Sequence, residues 1–326
     1  MHLHDRRSLK QGASQALAHS RCDHKKLVLI YSASALGLTL LVTILDFILS
    51  EQIGNTGGLE GIGMRSLLQT VQTILSYINQ FFGPFWTAGF LAAMLAMVRG
   101  IRPKPRDLTE GFRRPLRILG YVAFEAAAAL LLLVAVVNLS SILFTLSPMG
   151  ADFAENMAPL LLDAEALTPE GLLNQELISL DALIASLLPM FVITGVLYLP
   201  LFAVMAYGFR LALYLVMDRG IGAIPAHFLS LRLMRGHKMQ MLRLDLSWWW
   251  YYLLGAVCYA VAYLPTVLLL LGVGLPMDYT AMLFVSLAVY CGLYTLLCLW
   301  RKPMVDASYV LAYEALLPKA PETPAE

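Results

Sequence analysis

Six runs of about twenty apolar residues constrain this chain more than any other feature. They lie at approximately Leu27 to Leu49, Phe81 to Val98, Ile118 to Leu143, Ile184 to Tyr207, Trp248 to Leu271 and Ala281 to Trp300. A bilayer core about 30 Å thick is crossed by roughly 20 residues of helix. Hydrocarbon offers peptide groups no hydrogen-bond partner, so each run must satisfy its own N–H and C=O groups, as a helix does. Composition agrees with this reading. Of 326 residues 59% are apolar and 14% charged, with a mean hydropathy of +0.70; an average soluble domain is roughly a quarter charged. The expected fold is all-α: a polytopic membrane bundle of six transmembrane helices with amphipathic cytoplasmic helices. The fourth run stays apolar past Arg210 to Met217, and that surplus is expected to form a cytoplasmic or interfacial helical extension.

The placement of charge gives an orientation, because Lys and Arg accumulate in short cytoplasmic loops. Arg6, Arg7, Lys10, Arg21, Lys25 and Lys26 precede the first run, and seven basic residues from Arg99 to Arg117 separate the second and third. Arg210, Arg219, Arg232, Arg235, Lys238 and Arg243 separate the fourth and fifth, and Arg301, Lys302 and Lys319 follow the sixth. Asp152, Glu155, Asp163, Glu165, Glu170, Glu176 and Asp181 occupy the loop between the third and fourth runs, which has no basic residue. Both termini are therefore expected in the cytoplasm: residues 1–26 as a tail, 27–317 as the six-span domain and 318–326 as a disordered end. The long basic leader and the absence of a small-x-small site point to a retained first span, not a cleaved signal. Cys258, Cys291 and Cys298 fall within apolar runs and read as small hydrophobes.

The segment from Met234 to Leu254, MRGHKMQMLRLDLSWWWYYLL, turns from basic to aromatic. Trp and Tyr favour the headgroup region, so Trp248, Trp249, Trp250, Tyr251 and Tyr252 are expected to mark the inner boundary of the fifth span. Before them, Met239, Leu242 and Leu246 share one helical face while Gln240, Arg243 and Ser247 share another, as in a helix lying on the cytoplasmic surface. Alternation from Leu242 to Ser247 also fits a strand, but a lone strand beside lipid lacks a ladder partner.

Ser230, Met234, Arg235, Gly236, His237, Lys238, Leu244, Leu246 and Ser247, within SLRLMRGHKMQMLRLDLS, resemble the signature of domain-of-unknown-function family 975, bacterial polytopic membrane proteins. Pro303, Ala307, Tyr313 and Leu316 are similar to its closing segment, and MVRGIRPKPRDLTEGF to its first cytoplasmic loop. Trp248, Trp249, Trp250 and Tyr251 depart from the Phe-Ile-Gly-Trp usual there, and Met304 follows Pro303 where the family has Tyr. The resemblance implies six helices, a cytoplasmic face of amphipathic segments (about Ile221 to Ser247 and Lys302 to Leu317) and a bacterial inner-membrane location. It implies no activity and no catalytic residues.

A weak repeat accompanies the signature. LTEGFRRPLRIL from Leu108 and LMRGHKMQMLRL from Leu233 share a Leu-x-x-Gly-x-basic pattern, and each follows an Arg-Gly-Ile. Duplication and coincidence both fit.

Candidate sites are few. Glu125 lies about 12 Å into the third span, where an ionised carboxylate is costly. It is either a proton or cation relay or, more simply, a protonated or hydrogen-bonded carboxyl with Arg210 as a partner. Tyr259 with Tyr263, and Tyr290 with Tyr294, are i,i+4 pairs that suit interhelical packing or a polar cavity. Ala88, Ala92 and Ala96, beside Gly89 and Ala93, form a small-residue face. Asp46 reads as a solvated end residue. Pro265 with Gly272 and Gly274 would kink the fifth span, and Gly54, Gly57, Gly58, Gly61 and Gly63 would form a flexible outer loop. His2, His4 and Asp5 suit a solvated tail better than a metal, and no metal or cofactor is expected. HExxH and GxSxG are absent, so the expectation is a non-enzymatic scaffold, assembly or envelope-homeostasis factor. Ser230, Met234, Arg235, Gly236, His237, Lys238, Arg243, Leu244, Leu246 and Ser247 would form its lipid- or partner-binding face. Anionic headgroups account for the basic patches without nucleic acid. The alternative is a small-molecule or lipid transporter using Glu125, Arg210 and the four tyrosines.

Overall fold

The computed structural model describes residues 6–20, 23–55, 62–153, 180–270 and 279–318, and among these it is all-α, with no strand. The long helices are α2 (His24–Asn55), α3 (Ile62–Val98), α5 (Pro115–Thr145), α6 (Leu180–Phe209), α10 (Trp249–Leu270) and α11 (Tyr279–Leu316). Short helices lie between and before them: α1 (Arg6–His19), α4 (Glu110–Arg113), α7 (Ala212–Arg219), α8 (Ala223–Leu233) and α9 (Lys238–Ser247). Six helices among the described residues are long and apolar enough to cross a membrane, and the chain is a multi-pass membrane protein.

The chain divides into two compact units, Met1–Val122 with Arg210–Glu326, and Ala123–Phe209. In the first, α11 is the common support, since α1, α2, α3 and α10 all pack against it. Its second half is enclosed: Val305, Ala307, Ser308, Tyr309, Val310, Ala312 and Tyr313 are all buried. Within the second unit, α5 and α6 carry exposed apolar residues such as Leu131, Phe191, Val196 and Leu199, the surface expected of helices facing lipid.

Local chemistry sets the ends of these elements. The Asp23 carboxylate accepts the N–H groups of Lys25 and Lys26 at 3.1 and 3.2 Å and caps α2. Gly100 and Gly220, with φ of +76° and +62°, supply the left-handed residues that end α3 and α7. Both belong to the paired Arg-Gly-Ile triplets. The likeness of the two loops stops there, because Gly236 has φ +84° while Gly111 does not adopt positive φ.

Backbone meets backbone where the loop after α3 folds back. A Cβ on Gly89 would lie 1.8 Å from the Leu108 carbonyl oxygen, and one on Gly111 would lie 2.1 Å from that of Phe85. The small-residue face of α3 therefore seats the 3-10 turn Pro105–Thr109, and the Phe112 ring stacks on Phe85 with centroids 5.2 Å apart.

The helices extend beyond the apolar runs. The helix that contains the second span begins at Ile62, well before Phe81, so Gly63 is helical, as is Gly54 at the end of α2. The last span and the closing segment are one helix that runs through Pro303; in the latter Val305, Val310, Ala312 and Tyr313 are buried while Lys302, Asp306 and Glu314 are half-buried. Within the N-terminal tail, residues 6–19 form a helix whose Leu9 and Ala13 are buried. The surplus beyond Arg210 is α7, and Ala212, Leu215, Val216 and Met217 are buried within the first unit. Gly57, Gly58, Gly61, Gly272, Gly274, His2, His4, Asp5, residues 319–326 and the acidic positions from Glu155 to Glu176 lie outside the described residues.

Candidate functional site

The signature segment folds as α8, a turn at Met234 to His237, and α9. On α9 the buried stripe is Met241, Leu244 and then Trp248 just beyond its end, with Asp245 beside Leu244. Their i, i+3, i+4, i+7 spacing gives one helical face. The opposite face carries Met239 and Leu246, 62% and 58% exposed, with exposed Arg243 between them and exposed Arg235 one turn earlier. This corrects the faces read from sequence: Arg243 shares a stripe with Met239 and Leu246, while Met241 and Leu244 form the buried side. The helix was taken for a surface element with one apolar face, and it has two.

Asp245 fixes α9 in place. Its carboxylate receives both terminal nitrogens of Arg210, one of them at 2.8 Å, and the Tyr309 hydroxyl at 2.5 Å. The Arg210 guanidinium also lies 4.6 Å from the centroid of the Tyr309 ring, and Tyr309 shares a hydrogen bond of 2.9 Å with Tyr252. Bidentate Arg–carboxylate pairing sets orientation as well as energy. Three elements thus meet at one acid, the turn before α7, α9 and α11, and α10 joins them through Tyr252 on Tyr309. Arg210, expected as a partner for Glu125, is committed to Asp245. Glu125 itself is half-buried and makes no ion pair among the described residues.

A second acid does the same for α7. Asp218 accepts hydrogen bonds from Arg99 at 2.5 Å and Tyr313 at 2.8 Å, and Arg99 also donates to Glu314 at 2.8 Å. The two carboxylates hold the Arg99 proton more tightly than in an isolated guanidinium.

Trp248 is the third fastening. It was expected at the headgroups, but it is 2% exposed and donates its indole N–H to Ser308 at 3.1 Å. The Lys10 ammonium sits 3.9 Å from the centre of its ring and donates to the Ser247 carbonyl at 2.8 Å. Burial, with repulsion from Arg6, pushes the Lys10 pKa below the usual lysine value. Trp249 and Trp300 are both 59% exposed.

The remaining signature residues divide between frame and edge. Ser230 and Met234 are fully buried, and the Ser230 hydroxyl accepts the Leu211 N–H at 3.1 Å. His237 meets Gln240 at 2.9 Å, Ser247 donates to the Leu244 carbonyl at 2.6 Å, and Lys238 is half-buried. Ile224 and Phe228 of α8 are 56% and 57% exposed. The four tyrosines do come together, with centroid separations of 4.5 Å for Tyr259–Tyr263, 5.9 Å for Tyr259–Tyr290 and 5.5 Å for Tyr290–Tyr294. Asp46 is half-buried, and one of its carboxylate oxygens is enclosed with no hydrogen-bond partner among the described residues.

Asp245 and Asp218 are the residues that sequence reasoning missed. A signal existed for the first, because Asp245 is the only acid in a segment of basic residues from Leu231 to Leu254. What the arrangement does is positional: half-buried acids and buried aromatics hold α7 and α9 to α11, and basic and apolar side chains of α9 face outward. Comparison with family models, with curated proteins and with solved structures gives no match.

Proposed function

We propose that this chain is a non-enzymatic component of the bacterial cytoplasmic membrane, a scaffold, assembly or envelope-homeostasis factor with both termini in the cytoplasm. Its working surface is the outward stripe of Arg235, Met239, Arg243 and Leu246. The observation that carries the reading is that this stripe sits on a helix whose other face is fastened by Asp245 and Trp248. A mixed basic and apolar face on a fixed frame suits anionic headgroups or a protein partner, since little ordering entropy is lost on binding. Membership of domain-of-unknown-function family 975 is part of the proposal and rests on the residues quoted between Ser230 and Ser247.

The test is photo-crosslinking from Met239 and Leu246 in growing cells. The unmodified stripe gives discrete adducts, and combining Arg235→Gln, Lys238→Gln and Arg243→Gln reduces them at least tenfold while membrane insertion persists. Undiminished adducts in the triple variant contradict the proposal. The tyrosine cluster of α10 and α11 favours a second reading, a small-molecule or lipid transporter. That reading requires proteoliposome flux that Glu125→Gln lowers.

A further inference from the structure

Two open grooves flank the start of α2, and Asp23 and Lys26 line both. The first encloses about 600 Å³ between Lys26, Leu27 and Ile30 on one side and Arg102, Pro103, Lys104 and Pro105 on the other. Lys26, Arg102 and Lys104 are exposed, and none makes an ion pair among the described residues. Asp23, the one acid among the described residues that line this groove, is turned toward the backbone N–H groups it caps. Three exposed cations and the apolar side chains of Leu27, Ile30, Pro103 and Pro105 thus line one groove at the start of α2. A soluble anion would use the charges and leave the apolar side chains wet, whereas a neutral lipid would cover them and leave the charges uncompensated.

We propose that this groove is a binding site for an anionic phospholipid, its phosphate held by Lys26, Arg102 and Lys104 and its upper acyl chain lying along Leu27 and Ile30. The inference deepens the proposed function and rests on its orientation, which places this end of α2 at the inner leaflet. Each basic side chain near an anionic headgroup adds about 1 kcal/mol of attraction, and loss of three together reads out as at least a tenfold change. The neighbouring groove, about 740 Å³, is lined by Lys25, Lys26, Leu29, Leu296, Leu299 and Trp300. With two cations instead of three, it is the weaker site.

The experiment is native mass spectrometry of the full-length protein in detergent, titrated with dioleoyl phosphatidylglycerol or dioleoyl phosphatidylcholine. The expected result is at least tenfold preference for phosphatidylglycerol, lost when Lys26→Gln, Arg102→Gln and Lys104→Gln are combined. Ile30→Trp fills the groove, keeps every charge and also lowers binding; millimolar glycerol 3-phosphate does not displace the lipid. Equal binding of the two lipids, full binding by either variant, or displacement by glycerol 3-phosphate overturns the proposal. The variant carrying Arg235→Gln, Lys238→Gln and Arg243→Gln keeps its phosphatidylglycerol. If that variant alone lost the lipid, the groove assignment would fall while the α9 surface stood. Groove binding without adducts from Met239 would have the opposite meaning.

Discussion

Asp245→Ala lowers the apparent midpoint of thermal unfolding by about 5 °C or more, because it undoes the fastening of α9. The substitution leaves the partly buried Arg210 guanidinium and the Tyr309 hydroxyl without their acceptor. Breaking one side of such a pair costs about 3 kcal/mol, more than the pair contributes relative to apolar residues, because the remaining charge is stranded. Combining Arg210→Leu with Asp245→Leu is therefore milder than the sum of the single changes, and a double-mutant cycle measures the difference. A midpoint unchanged within 1 °C for Asp245→Ala would mean that water, and not Arg210, satisfies this carboxylate.

Gly89→Val acts through shape. The added Cβ would overlap the Leu108 carbonyl, a backbone atom that cannot swing aside as a side chain can. Overpacking a core typically costs about 1–3 kcal/mol, and here relief requires lifting the 3-10 turn from α3. That movement also opposes the reciprocal approach of Gly111 to Phe85 and the stacking of Phe85 on Phe112. The yield of monodisperse protein extracted from membranes falls several-fold. Gly37→Val on α2, where a Cβ meets nothing within 4 Å, leaves the yield near that of the unaltered chain. Equal yields for the two variants would show that the loop does not seat on α3.

The spans were legible because lipid demands a uniform apolar run, and such a run is a local property of sequence. Their ends were not. Arg301, Lys302 and Pro303 read as the close of the sixth span, yet the helix continues to Leu316. Lys302 pairs with Asp306 one turn on at 3.1 Å and lies about 5 Å from the rings of Tyr31 and Phe90. Trp248 was misplaced for a related reason: the tendency of Trp to sit at headgroups is an average over positions, and here a hydroxyl on α11 satisfies the indole N–H in the interior. The fastening acids escaped notice because their partners lie far away in sequence, 35 positions for Asp245 with Arg210 and 119 for Asp218 with Arg99. On α9, two apolar faces on opposite sides blur the single-sided periodicity by which an amphipathic helix is recognised. Among the signature residues, sequence could not separate those that build the frame, such as Ser230, Met234 and Leu244, from those that face outward.

The account turns on the basic layer around α9 and the acidic stretch around Asp163 lying on opposite sides of the membrane. Single cysteines introduced as Arg235→Cys or Asp163→Cys, in a chain whose four native cysteines are replaced by alanine, can be probed with a membrane-impermeant maleimide. The position at 163 should react in intact cells, and the position at 235 only after the membrane is opened. Reaction of both in intact cells, or of neither, would contradict the topology and with it the assignment of α9 as a cytoplasmic surface.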